Sequence, residues 1–243
     1  MSGHSKWSTI KHKKGKADAK RGKIFTKLGR EIIVAVAQGG SGDPEINNRL
    51  KDIMAKCRAA NMPNDTVSRA IKKALGEDSS VIYEAMVYEG YGLGGVAVIV
   101  EALSDNRNRT AGEVRYAFDK MGGALGTTGC VSYLFDKKGV IAIEHTDSVD
   151  EEELMIAALD AGADDFDTAH GIYEIITSPE SFSAVRDALS DAGYEFFVAH
   201  VQMVPQTTVE VLAENEAKTM KMLDMLEDDD DVSNVYHNAV FAD

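Results

Sequence analysis

The hydrophobic pattern of this chain changes near residue 80, from helical periods alone to alternating strand and helix periods, and that change limits the folds open to it. Before it, apolar residues recur at helical spacing: Phe25, Leu28, Ile32 and Ala35, then Ile46, Leu50, Ile53, Met54 and Cys57, then Val67, Ala70, Ile71, Ala74 and Leu75. Each series is one face of an α-helix. Breakers separate the series. Gly39-Gly40-Ser41-Gly42 ends the first, Asp43 and Pro44 read as N-cap and first helical position of the second, Asn61-Met62-Pro63 stops it, and Gly76 closes the third. Amphipathic helices joined by short loops predict a small three-helix bundle.

From Val81 onward, β-branched runs alternate with helical stretches. Strands are expected near 83–89, 96–103, 131–135, 139–144, 172–176, 194–203, 207–212 and 235–240, with a short one at 165–168. Helices are expected near 111–121, with Thr110 and Glu113 as a capping box, and near 151–161, 181–192 and 214–227. Residues 139–204 then run strand, helix, strand, strand, helix, strand, the split order of a ferredoxin-like module. The flanking pieces give the same order when joined across it. The expected fold is therefore α+β with three domains: an N-terminal three-helix bundle plus two ferredoxin-like α/β modules, one inserted in the other. Its boundaries are a basic flexible arm at 1–15, a nucleic-acid-binding helical bundle at 16–80, an α/β domain made of 81–136 and 206–243, and the inserted domain at 137–205.

A formal charge of −14 would ordinarily argue against a nucleic-acid partner, but it averages two opposite ends. Residues 1–30 hold ten Lys/Arg against Asp18 alone, residues 31–80 are balanced, and residues 81–243 carry −23. Such asymmetry marks one polyanion-binding end. In the arm, Lys6, Lys11, Lys13 and Lys14 with His12 are candidates to neutralise phosphates and release counterions. Trp7, the only tryptophan, either stacks on an unpaired base or packs on the bundle. Lys16, Lys20, Lys23, Lys27 and Arg30, spaced 4, 3, 4, 3, make a cation stripe opposite the apolar face of the first helix, and Arg21 adds to it. A second candidate is Ser104-Asp105-Asn106-Arg107-Asn108-Arg109-Thr110, where Arg107 and Arg109 sit beside the free N–H groups of a helix start. The alternative there is pairing with the abundant carboxylates.

Other motifs fail on context. Gly90-Tyr91-Gly92-Leu93-Gly94-Gly95 satisfies G-x-G-x-x-G, but strand residues follow at once where a dinucleotide site needs a helix. Glu227-Asp228-Asp229-Asp230-Asp231 lacks the spacing of a calcium loop and reads as a solvated turn. No catalytic constellation stands out, so neither an enzyme, a cofactor nor a metal is expected. Cys57 and Cys130 lack disulfide or zinc spacing, the apolar runs are too short for a membrane span, and no apolar h-region follows the basic N-terminus; a cytoplasmic protein with no membrane partner is expected.

Ser2-Gly3-His4-Ser5-Lys6-Trp7, Lys20-Arg21-Gly22-Lys23-Ile24-Phe25, Ser104 to Thr110 and Val235-Tyr236-His237-Asn238 resemble the YebC/PmpR family from end to end. The resemblance implies a helical first domain and two α/β domains, one inserted in the other, in a probable DNA-binding transcriptional regulator. It also implies kinship with mitochondrial translational activators and with bacterial proteins linked to stalled ribosomes. The partner implied is nucleic acid, either duplex DNA or ribosomal RNA, with the ribosome itself as a further partner. No catalytic or base-reading residues carry over, and no oligomeric state is dictated; a monomer is compatible. A duplex reader places a helix in the major groove, yet the bundle offers only Arg69, Lys72 and Lys73 for that task. A basic arm with one aromatic suits structured RNA at least as well.

Overall fold

The structure, a computed structural model, describes residues 21–76, 82–169 and 171–241. Its elements begin with helices α1 (Arg21–Gly39), α2 (Asn48–Ala59) and α3 (Asn64–Leu75). They continue with β1 (Glu84–Tyr91), β2 (Ala97–Ser104), α4 (Arg107–Lys120), β3 (Ala124–Leu125), β4 (Phe135–Glu144), α5 (Glu151–Asp160), β5 (Asp165–Ala169) and β6 (Ile172–Thr177). The last are α6 (Phe182–Asp191), β7 (Val198–Pro205), β8 (Val209–Glu210), α7 (Ala213–Asp228), β9 (Val232–His237) and β10 (Ala239–Val240). Among the described residues, Phe135–Val204 form one compact unit; the residues before it and those from Pro205 onward form the other. No helix among them is long and apolar enough to cross a membrane.

The bundle core follows the sequence periodicity: Leu28, Ile32, Ala35 and Val36 of α1 meet Leu50, Ile53 and Cys57 of α2 and Val67 of α3. The start of α2 differs from expectation. Asp43 and Pro44 open only a turn, and the N-cap is Asn47, whose Oδ1 accepts from the Leu50 N–H at 3.0 Å. The Asn47 amide also donates to the carbonyls of Ala35 at 2.9 Å and Ser41 at 3.0 Å, so one buried side chain serves two helix ends. Ile46 is thereby left outside α2 and 74% exposed. A Cβ at Gly39 would collide with the Asn47 amide, so that crossing requires glycine.

In the same unit lies a sheet of order β3-β1-β2-β9. β1 and β2 form an antiparallel hairpin from Glu84↔Ser104 to Tyr91↔Ala97, and β9 pairs antiparallel with β2 on its other side, with a register shift at Glu101/Ala102. Val98 and Val100 point into a core with Val114, Ala117 and Phe118 of α4 and Met222, Leu223 and Leu226 of α7. Ala97 and Ile99, on the opposite face, are buried too, so this sheet is covered on both sides.

The strand order corrects the idea that this module repeats the ferredoxin pattern. β1 sits inside the sheet, paired to β2 as a hairpin, and the segment expected as a strand at 131–135 is a 3₁₀ turn, Ser132–Leu134, ahead of β4. The cause is Glu89. Its buried carboxylate accepts the N–H groups of Gly129 at 2.8 Å, Val131 at 2.9 Å and Ser132 at 2.8 Å, which removes the donors a ladder would use. Asn238 likewise interrupts the last expected strand: its side chain accepts from Ala97 N at 2.8 Å and its carbonyl from Val209 N at 2.8 Å, turning the chain from β9 into β10.

The inserted unit matches its expectation. Its sheet has the order β5-β6-β4-β7 with α5 and α6 in the two crossovers, the ferredoxin-like arrangement, and the short strand at β5 is present. Ile141, Ile143, Tyr173 and Ile175 pack against Leu154 of α5 and Phe182, Val185 and Leu189 of α6. Where the chain leaves and re-enters the first unit, Gln206 N donates to Leu134 O at 2.9 Å.

Burial alone would raise the Glu89 pKa, but the three backbone donors together hold it below the usual carboxylate range. Glu89→Gln keeps the shape and turns one acceptor into a donor facing N–H groups. The expected result is a loss of about 1–3 kcal/mol of unfolding free energy, measured by urea titration.

Candidate nucleic-acid interface

The arginine loop between β2 and α4 begins its helix earlier than the sequence suggested. Asn106 is the N-cap, accepting from Arg109 N at 3.1 Å, so Arg107 occupies the first helical position and Arg109 the first turn. Thr110 is therefore already inside the helix, fully buried, with its hydroxyl available to a neighbour. That neighbour is Asp231, 3% exposed, in the turn between α7 and β9.

Asp231 collects donors from three elements, α1, β2 and α4. Its carboxylate accepts from Ser104 Oγ at 2.8 Å, Thr110 Oγ1 at 2.8 Å, Arg109 Nη2 at 2.7 Å and Arg30 Nη1 at 2.7 Å. Its own carbonyl takes Leu103 N at 2.8 Å, and its N–H is held by Asp229 Oδ1 at 2.8 Å. Burial pushes the Asp231 pKa up, but the bonds from Arg109, Thr110 and Ser104 and the charge of Arg30 outweigh it and hold the group below the usual range. Arg109, bonded first to Asp231 and also to Asp105, is held above its ordinary value.

The cation stripe of α1 meets the same turn. Lys23 Nζ donates to Asp228 O at 2.8 Å, Lys27 Nζ to Glu227 O at 2.6 Å, and Arg30 Nη1 to Asp230 O at 2.5 Å. Helix α7 has no basic residue in its last turn, so cations from α1 satisfy its terminal carbonyls and oppose the negative end of its dipole. The Lys27 pKa is lowered by burial, against the raising influence of Glu227, Asp229 and Asp230. Val34, one turn past Arg30 on the stripe face, is 4% exposed.

The placement of the expected site residues is thus uneven. Lys23, Lys27, Arg30 and Arg109 are engaged within the fold, Arg107 is exposed, and Arg21 opens α1. Lys6, Trp7, Lys11, His12, Lys13, Lys14, Lys16 and Lys20 lie outside the described residues. The run from Glu227 to Asp231 is not simply a solvated turn, because its last member is the buried hub. Nothing marks Asp231 out from the four acids before it. Two indirect signals pointed to the contact: the stripe continues into apolar Val34, and α7 ends without a cation.

Glu113, Asp229 and Asp231 bring carboxylate oxygens within 4.8 Å of one another. Asp231 is already committed to its donors and two arginines flank it, an unsuitable setting for a cation. Glu113 is instead held above the usual range by burial, then by Asp229, and keeps its proton to higher pH than an ordinary glutamate.

A helical bundle joined through a buried carboxylate to a sheet domain, with a ferredoxin-like insertion in that domain, defines a three-part α+β protein with a basic helical end. The chain belongs to the TACO1/YebC family: residues 5–77 match the TACO1/YebC N-terminal domain, and residues 83–239 the TACO1/YebC second and third domain. A relative from Acetivibrio thermocellus, named a probable transcriptional regulatory protein, is 63% identical over 98% of both chains. One from Clostridium tetani with the same name is 58% identical over 100% of this chain and 98% of its own length. The crystal structure of a conserved hypothetical protein from Aquifex aeolicus is 44% identical, with a TM-score of 0.86 over 98% of each chain.

Because the folded-state pKa of Asp231 is depressed, its stabilisation is present above the unfolded carboxylate value, near about 4, and is lost as pH falls through the folded value. Asp231→Asn should cost about 2 kcal/mol, below the full cost of breaking a buried pair because Arg109 is 42% exposed. Urea titrations at a series of pH values should also show a weaker acid dependence in the variant than in the natural chain.

Proposed function

We propose that this chain is a nucleic-acid-binding regulator of gene expression, acting in the cytoplasm as a DNA-binding transcriptional regulator and not as an enzyme. The observation that carries this reading is the division of charge, +9 on residues 1–30 against −23 on residues 81–243. A polyanion is repelled by the acidic body and attracted to one end. The relatives' names, probable transcriptional regulatory protein, support the regulatory role. With Lys23, Lys27, Arg30 and Arg109 engaged inside the fold, first contact falls to Lys6, Trp7, Lys11, His12, Lys13, Lys14, Lys16, Lys20 and Arg21, with exposed Arg107 as an accessory cation.

One observation favours a second reading, a translation factor that binds ribosomal RNA. In α3 the exposed Arg69 guanidinium donates to Asp65 O at 3.2 Å and Thr66 Oγ1 at 3.3 Å of its own helix, and Lys72 and Lys73 are the other exposed cations there. Lysines hold phosphates as point charges without the planar fork of arginine, which suits structured RNA as well as a promoter.

The two readings separate in a competition assay. A transcriptional regulator retains a promoter fragment over scrambled duplex at physiological salt; equal retention, with co-sedimentation on ribosomes, selects the translation reading. In either case, replacing Lys13, Lys14 and Lys20 by Gln should weaken binding and lower the slope of log K against log salt by about 2–3. An unchanged slope would remove the basic arm from the interface.

A further inference from the structure

The acidic turn after α7 does more than cap a helix. We propose that it is an internal stand-in for a phosphate backbone, occupying Lys23 and Lys27 of α1 until nucleic acid displaces it. This rests on the nucleic-acid reading above and adds a built-in competitor to it. Binding then requires a ligand of high charge density, and a weakly charged surface does not release the lysines.

The contact is graded along α1. At its inner end, Arg30 and Asp231 have side chains 19% and 4% exposed and are locked to Ser104, Arg109 and Thr110. At its outer end the bond from Lys23 to Asp228 O is exposed, and that from Lys27 to Glu227 O is half-buried. The outer end can therefore open while the hub stays closed.

The partners of the two lysines also suit exchange. Both amines donate to neutral carbonyl oxygens, and the charge that holds Lys27 comes from the surrounding Glu227, Asp229 and Asp230. A phosphate oxygen supplies the acceptor and the charge in one group, which makes a stronger bond. Five consecutive acids stand at this turn, yet the hub uses the carboxylate of Asp231 and a single oxygen of Asp229 that an asparagine would keep. The charges on Glu227 and Asp230 are thus available to a competitive role, and that of Asp229 is shared with Glu113.

A double-mutant cycle in the full chain tests this. One arm is Glu227→Gln with Asp229→Asn and Asp230→Asn, the other is Lys23→Gln with Lys27→Gln, and the fourth protein combines them. Dissociation constants are measured by anisotropy with a labelled single-stranded RNA and a duplex DNA of roughly twenty nucleotides per strand, across a salt series. With the lysines occupied in the natural chain, their replacement changes affinity less than about twofold. In the neutralised background the same replacement weakens binding about tenfold and lowers the salt slope by about 2, from two phosphate contacts. Equal loss in both backgrounds overturns the proposal, because simple removal of repulsive charge is additive. Failure of every protein to bind either probe overturns the nucleic-acid reading itself, and this inference with it. Asp230→Asn alone, at an exposed side chain, gives the same test without risk to the fold: the lysine replacement must cost more beside it than in the natural chain.

Discussion

The carboxylate of Asp231 fixes the relation between the bundle and the sheet domain. It binds Arg30 of α1, Ser104 at the end of β2, Arg109 and Thr110 of α4, and its own backbone completes the β2 edge at Leu103. A charge this deep would be costly alone, and each donor answers part of that cost. Two guanidiniums around one carboxylate leave a local surplus of positive charge, which the neighbouring Asp105 meets through Arg109. The result is a polar joint with fixed geometry between pieces far apart in sequence.

Around this joint, a helix end and a cation face complete each other. α7 finishes on acidic residues with no cation in its last turn, while α1 carries cations on a face that also buries Val34. The stripe therefore has a structural duty as well as an electrostatic one. The arginine loop divides in the same way: both arginines are exposed, but Arg109 is bonded to the buried Asp231. A motif rich in arginine is here in good part a cradle for a carboxylate.

Much of the fold was legible because it depends on local pattern. The bundle core of Leu28, Ile32, Leu50, Ile53 and Val67 follows from 3.6-residue spacing, and the inserted module from its alternation of strand and helix. What escaped depends on single polar side chains acting at a distance. Glu89 turns residues 129–132 into a carboxylate-bound loop, Asn47 moves a helix start, and Asn238 breaks a strand, and none of these has a periodicity to reveal it. The candidate site was proposed from its charge division and from the residues of the arginine loop. Its internal partner was not, because five adjacent acids look alike until packing chooses one.

The bond between Leu134 and Gln206 bears on how such a chain is assembled. It ties together the two points where the inserted module departs and returns, so the outer domain experiences those residues as one closed loop. The entropy of closing a loop grows only with the logarithm of its length, so a module of this size adds little beyond what a long surface loop would. The outer domain can therefore tolerate changes in the size or sequence of its passenger while its own strand pairing stays intact. The stem, more than the module it carries, is the element on which modular exchange depends.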